Sequence, residues 1–262
     1  MPPTRRKESF DAAASDYARY RSGYPDEVVD DVLSSSQLHA GSRVLEIGCG
    51  TGQLSVPLAR HGVELVAVEL GPNLAAMARR NLAGFRRARV EVSGFEEWPL
   101  PPDPFNAVVS ASALHWIDPL VRLSKPARAL APGGVLTILH VHHVKGGTPG
   151  FFADTQPLYR RWGLSDDPFF EPSSPEDAPV MYPELEERPE FAWVQRHRFE
   201  IPSRHTTDSY TGWLKTDSLI LSLDLQSRRG FLNDIATLID TKYDGVVSRN
   251  FVYDVIAAVR TA

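Results

Sequence analysis

At 262 residues, 42% of them hydrophobic and 23% charged, the chain is long enough for one sizeable α/β domain and has the make-up of an ordinary globular protein. Its formal charge of −5 supplies no general attraction for a phosphate backbone, so nucleic acid is not an expected partner. The single cysteine, Cys49, excludes an internal disulfide framework and a thiolate metal cluster.

The stretch Met1 to Glu8 is polar and basic, without the apolar core of a signal peptide. No apolar run approaches the roughly 20 residues that cross a bilayer. A cytoplasmic protein with no membrane contact is expected. Phe10–Tyr20 and Asp26–Leu38 read as two helices, the second with Val28, Val29, Val32 and Leu33 as its apolar stripe and Pro25 at its first turn.

The apolar run Val44–Ile47 then reads as a buried strand, followed by a turn with glycines at 48, 50 and 52. Gln53–Gly62 reads as a helix with Leu54, Leu58 and His61 on one side. Strand, glycine turn and helix open a nucleotide-binding βαβ unit. Further strands are expected at Glu64–Glu69, Arg89–Ser93, Asn106–Ser110 and Val135–Val141, and helices at Pro72–Leu82 and Pro119–Leu130. Pro132-Gly-Gly134 reads as the turn into the fifth strand. Such alternation implies parallel pairing with helices on both faces.

Beyond Gly146 the pattern loosens. Phe151–Trp162 reads as a helix, and Glu171–Pro183 as an acidic, proline-rich lid loop. Phe191–Ile201 and Phe251–Val259 read as strands, Thr207–Lys215 and Leu225–Thr241 as helices, the last with Leu225, Leu232, Ile235 and Ile239 on one face. The expected fold is a Rossmann-like, doubly wound, seven-stranded α/β sheet in one domain, 1–262. Residues 1–40 would form a helical cap, and 146–190 and 203–245 lid insertions on the substrate side.

The glycine turn departs from the dinucleotide fingerprint, since Gln53 stands where the third glycine of Gly-x-Gly-x-x-Gly belongs. It also lacks the Gly-Lys-Ser/Thr of a phosphate loop. Such a turn suits a ligand held by its nucleoside and carboxylate. Glu69 lies 21 residues beyond Gly48, the spacing at which a carboxylate meets ribose hydroxyls. It could accept from both hydroxyls of a cis diol.

These residues, with the Glu96–Pro99 segment and Leu130-Ala-Pro-Gly-Gly134, resemble the class I S-adenosylmethionine-dependent methyltransferases across essentially the whole chain. More narrowly, Phe10–Pro25, His115-Trp116 and Trp213-Leu-Lys-Thr216 resemble a small-molecule branch similar to trans-aconitate methyltransferases. The resemblance implies a last strand inserted antiparallel between the fifth and sixth, and S-adenosylmethionine as cofactor. It implies that Gly48, Gly50 and Gly52 pass under the methionine and ribose, that Glu46 orients the methionine end and that Glu69 holds the ribose. Leu70 would lie against the adenine, and Ser110 at the cofactor end of the fourth strand. The family's acid for the adenine amine falls on Gly94, which leaves Phe95 or Glu96 to replace it. The acid common at the start of the fourth strand is Asn106, which can still hydrogen-bond neighbouring backbone.

On the substrate side, the stretch from Ser110 to Trp116 leaves the carboxyl end of a strand, where ligands of open α/β sheets bind. His115 reads either as a general base for a phenol, alcohol or amine, or as a packing histidine beside Trp116. Tyr17, Arg21 and Tyr24 are candidates to close over a small-molecule substrate, and Arg21 could pair with a carboxylate. His140, His142 and His143 have no acid at ligand spacing, so no metal is expected and His140 reads as pocket lining. Aromatics at 151, 152, 159, 162, 169, 182, 210 and 213, Trp213 among them, suit either an apolar acceptor or a small core under the lid. The alternatives are a catalytically silent S-adenosylmethionine-binding partner protein and an NAD(P)-dependent oxidoreductase.

Overall fold

The computed structural model describes residues 10–21, 23–165, 167 and 171–261. It contains one seven-stranded sheet in the order β3-β2-β1-β4-β5-β7-β6, with strands β1 (Arg43–Ile47), β2 (Glu64–Glu69), β3 (Ala88–Val92), β4 (Phe105–Ala111), β5 (Leu130–Val144), β6 (Phe191–Thr206) and β7 (Val246–Arg260). β1 pairs in parallel with β2 and β4, β2 with β3, and β4 with β5. The last strand runs antiparallel between the fifth and the sixth, as the family resemblance implies. The sheet core is apolar on both faces, since Val44, Leu45, Ile47, Leu65 and Val66 are all fully buried. Helices on both faces of a parallel sheet require that continuous burial.

The chain divides into two compact units. The first comprises Ser22–Val141, Val180–Phe199 and Tyr253–Ala262. It holds α2 (Asp26–Ser35), α3 (Ser55–Arg60), α4 (Pro72–Asn81) and α5 (Ser124–Ala129). The other comprises Met1–Arg21, His142–Pro179 and Glu200–Val252. It holds α1 (Ala14–Tyr20), α6 (Phe151–Arg161), α7 (Thr207–Leu214), α8 (Ser218–Leu221) and α9 (Leu225–Lys242). Its helix starts are written locally. Asp224 accepts from the amides of Gln226 and Ser227 at 2.9 and 3.0 Å, and Asp217 caps α8 in the same way. No helix among the described residues is long and apolar enough to cross a membrane.

Several elements differ from expectation for identifiable reasons. Pro132-Gly-Gly134 does not precede the fifth strand but bulges within it, because Phe105 pairs with Leu130 and Ala107 with Val135. Gly134 is required there, as any Cβ would press on the carbonyls of Ala131 and Asn106 at 2.9 Å. The helix expected from Pro119 starts only at Ser124, since Asp118 first folds a turn by accepting from the amide of Leu120 at 2.8 Å. His61 follows the end of α3 and is exposed, bonded to the Leu38 carbonyl, so it is not on the buried side with Leu54 and Leu58. Leu225 is 74% exposed at the start of α9, whose buried face is Phe231, Leu232, Ile235 and Ile239. Tyr182, read as a lid aromatic, packs instead in the sheet core with Leu185 and Phe191. Phe169 lies outside the described residues.

Candidate active site

The glycine turn takes its shape from three left-handed glycines, with φ of 69°, 58° and 99° at Gly48, Gly50 and Gly52. A Cβ on Gly48 would collide with the Cβ of Ala113, so only glycine lets the chain leaving β1 pass the loop after β4. The Gly48 amide donates to the Val68 carbonyl at 2.8 Å. Gln53, standing where a dinucleotide fold has glycine, folds back on the turn: its Oε1 accepts from the Thr51 amide and its Nε2 donates to Thr51 Oγ1.

Glu69, at the end of β2, is buried and turns its two oxygens to two different backbone segments. Oε2 accepts from the Gly50 amide and Oε1 from the Gly71 amide, both at 2.8 Å. Gly71 is the N-cap of α4, so the carboxylate also meets the positive end of that helix. A carboxylate accepts hydrogen bonds only, the chemistry that suits the two hydroxyls of a diol.

Glu46 lies beneath this turn rather than on its surface, 1% exposed, and accepts from Ser55 Oγ at 2.6 Å. Burial pushes its carboxyl up to about 7, the Ser55 hydrogen bond pulls the other way, and the charge of Glu69 adds to the rise. A folded-state value above the ordinary one near 4.5 means that the folded chain keeps a proton the unfolded chain loses. Stability from this group is therefore full below about pH 4.5 and falls as pH rises through about 7. Thermal melts between those limits should show wild type losing stability relative to Glu46→Gln. Parallel slopes in the two proteins would refute the buried acid.

The other expected cofactor residues are distributed unevenly. Leu70 is 36% exposed, while Phe95 is buried in the sheet core. The carbonyls of Phe95, Glu96 and Trp98 all accept from Lys125 Nζ, at 2.7, 2.9 and 2.6 Å. Glu96 turns its carboxylate to the Asp118 amide at 3.3 Å. Gly94 is instead covered by Glu97, whose Oε2 occupies the space a Cβ at position 94 would take, with Leu70 Cδ1 at 3.7 Å from the same point. Glu97 was missed because it is one of two adjacent acids in a turn, and only the fold shows which curls back. Ser110, expected at the cofactor, is fully enclosed and donates to the Ile47 carbonyl at 3.0 Å, a brace between β4 and β1. Asn106 accepts from the Arg43 amide at 2.7 Å, the backbone bond expected of it.

At the carboxyl end of β4, Ser112 is held at a left-handed φ of 53° and accepts from Tyr24 Oη at 3.5 Å. The short 3-10 turn Leu114–Trp116 then presents His115 beside Trp116 (ring centroids 5.0 Å) and edge-on to His140 (5.4 Å). His115 is exposed as a residue, while its ring is partly enclosed by its neighbours. That enclosure, with the charge of Arg122, lowers it to about 4.

The remaining substrate candidates gather in the other unit. Arg21 follows α1 and lies over the rings of Trp213 (4.8 Å) and Tyr17 (5.6 Å). His143, unlike His140, belongs here and stacks between Trp213 (5.0 Å) and Phe251 (4.8 Å). The sequence reading passed over Arg249, which also lies over Trp213 and Tyr210. Among the described residues no group of three or more histidine, cysteine or acidic side chains is arranged to hold a metal. A separate hollow of about 570 Å³ between α2 and α3 reaches the end of the turn at Gly52 and Gln53, with Tyr24 also on its wall.

Residues 44–134 match the family described as "Methyltransferase domain". An uncharacterised methyltransferase of Mycobacterium bovis is 29% identical over 233 residues, 89% of this chain and 86% of that protein. A ubiquinone biosynthesis O-methyltransferase of Xanthomonas campestris is 35% identical over 126 residues, 47% of this chain and 51% of its own length. The fold is similar to that of phosphoethanolamine N-methyltransferase 2 of Haemonchus contortus, solved with S-adenosyl-L-methionine. That similarity has a TM-score of 0.56 at 18% identity, over 96% of this chain and 57% of the other.

Proposed function

We propose that the chain is a class I S-adenosylmethionine-dependent methyltransferase that methylates a small-molecule acceptor in the cytoplasm by in-line displacement. The observation that carries the reading is Glu69, buried at the carboxyl end of β2 beside the glycine turn and oriented by the amides of Gly50 and Gly71, a carboxylate of the kind that accepts from a ribose diol. S-adenosylmethionine supplies a methyl group on a sulfonium, already activated toward a nucleophile.

The residues fit that group. Gly48 and Gly50 give a backbone surface without side chains, and Glu46 acts through Ser55 to hold the turn from below. Leu70 supports the adenine face. Glu97 replaces the side chain that Gly94 lacks and accepts from the adenine amine, in place of Phe95 or Glu96, whose groups face Lys125 and Asp118. Ser110 braces the site without touching the cofactor. His115, lowered to about 4, is neutral at pH 7 and a weak base, which favours orienting the acceptor over proton abstraction. Tyr24, Trp116 and His140 line the acceptor side with it, and positioning supplies much of the acceleration.

Calorimetry with S-adenosylmethionine and S-adenosylhomocysteine, followed by a methyl-release assay over an acceptor panel, tests the reading. Saturable binding of both and turnover on a small molecule are expected. Absence of binding refutes the cofactor assignment, and binding without turnover points to a silent partner protein. Glu97→Ala should weaken S-adenosylmethionine by about threefold to tenfold, the range of one exposed hydrogen bond, and leave an analogue lacking the adenine amine unaffected.

A further inference from the structure

We propose that Arg21 and Arg249 form a carboxylate-binding site, walled by Trp213, Tyr210 and His143, that takes a small organic carboxylate. The inference is argued from this unit alone and adds a ligand class to the reading above. Both guanidinium groups lie over the Trp213 ring, Arg21 at 4.8 Å and Arg249 at 5.9 Å. Arg249 donates to Tyr210 Oη at 3.0 Å, and its other described contacts are ring faces. Among the described residues it makes no ion pair. A half-buried cation in an aromatic nest, satisfied by one phenol, leaves most of its planar fork of donors for an anion.

Arg21 is aimed by a separate device. Its Nε donates to Thr216 Oγ1 at 2.7 Å, and that hydroxyl, fully buried, donates on to the Trp213 carbonyl at 2.7 Å. The local field is positive. His143 sits well below its ordinary value because of enclosure first, then Arg249, Arg21, His142 and His205. Asp217, whose charge reaches Tyr210, already caps α8 through the amides of Leu219 and Ile220. His143 as a residue is exposed although its ring packs on Trp213 and Phe251, so solvent reaches the edge of the nest. Guanidinium groups bind carboxylates bidentately, and the indole and phenol rings exclude competing water from one side.

The test is a titration of the full chain, with S-adenosylhomocysteine present, followed by tryptophan fluorescence. Benzoate and succinate are the carboxylate probes, benzamide is the neutral isostere of benzoate, and inorganic phosphate is the non-carboxylate anion. A saturable response to a carboxylate but not to benzamide is expected. Arg249→Met should weaken it by at least about tenfold, the scale of a lost charge-assisted pair. Should that variant melt early, Arg249→Lys keeps the charge but loses the fork, and should weaken the same response at unchanged melting temperature. Both variants should bind S-adenosylmethionine as wild type does. Equal binding of benzamide and benzoate, preference for phosphate, no response to either carboxylate, or indifference to both variants would overturn the proposal. Failure of cofactor binding in the separate calorimetry would overturn the methyltransferase reading instead, whatever the carboxylates do.

Discussion

Glu69→Ala is expected to raise the dissociation constant for S-adenosylmethionine by about ten- to a hundredfold, the equivalent of ~1.5–3 kcal/mol for hydrogen bonds to a charged group. Two losses combine in that figure. The proposed diol loses its acceptor, and the amides of Gly50 and Gly71 lose the carboxylate that joins them across the carboxyl ends of β1 and β2. Glu69→Gln separates the two. The amide side chain keeps one accepting oxygen, but its NH₂ faces an N–H that needs an acceptor, so one of the two ties is broken. Its affinity should fall between wild type and alanine. Calorimetry with wild type, Gln and Ala in parallel checks the order, and an unchanged constant in Glu69→Ala would contradict the ribose assignment.

A comparably large loss, in stability rather than affinity, is expected for Gly48→Ala. Position 48 has a φ of 69°, where an L-residue costs about 1–2 kcal/mol. The added methyl would also meet the Cβ of Ala113, and overpacking of this kind costs about 1–3 kcal/mol. The sum, about 2–5 kcal/mol, is a large part of the total stability of a domain. Chemical denaturation of Gly48→Ala should show it. Removing the opposing methyl in Gly48→Ala/Ala113→Gly should recover the overpacking part and leave the backbone part. Simple additivity of the two single changes would mean that the methyl groups never meet.

How far the sequence could be read depended on whether a signal was local. The glycine turn, the distance to Glu69 and the strand–helix alternation each lie within a short window, while the antiparallel last strand was implied only by the family resemblance. The Ala131–Gly134 bulge was unreadable because a proline–glycine pair marks a break in direction without saying whether the strand resumes. Ser110 was misread because a strand buried on both faces has no alternation to show which side chains point toward a ligand. Glu97 needed the turn to be folded before it could be chosen over Glu96. Arg249 belongs to no motif. It lies 36 residues beyond Trp213 and 228 beyond Arg21, and only the fold brings three such distant positions around one indole ring.

The two compact units also divide the proposed sites. Gly48, Gly50, Glu69, Leu70 and Glu97 all belong to Ser22–Val141, while Arg21, Trp213, His143 and Arg249 all belong to the other unit. A library confined to positions 21, 143, 213 and 249 would therefore vary the proposed anion nest with every residue of the Ser22–Val141 segment kept as it is. Inheritance has the same two registers to write in, and under the two proposals one of them holds the donor's residues and the other the anion's.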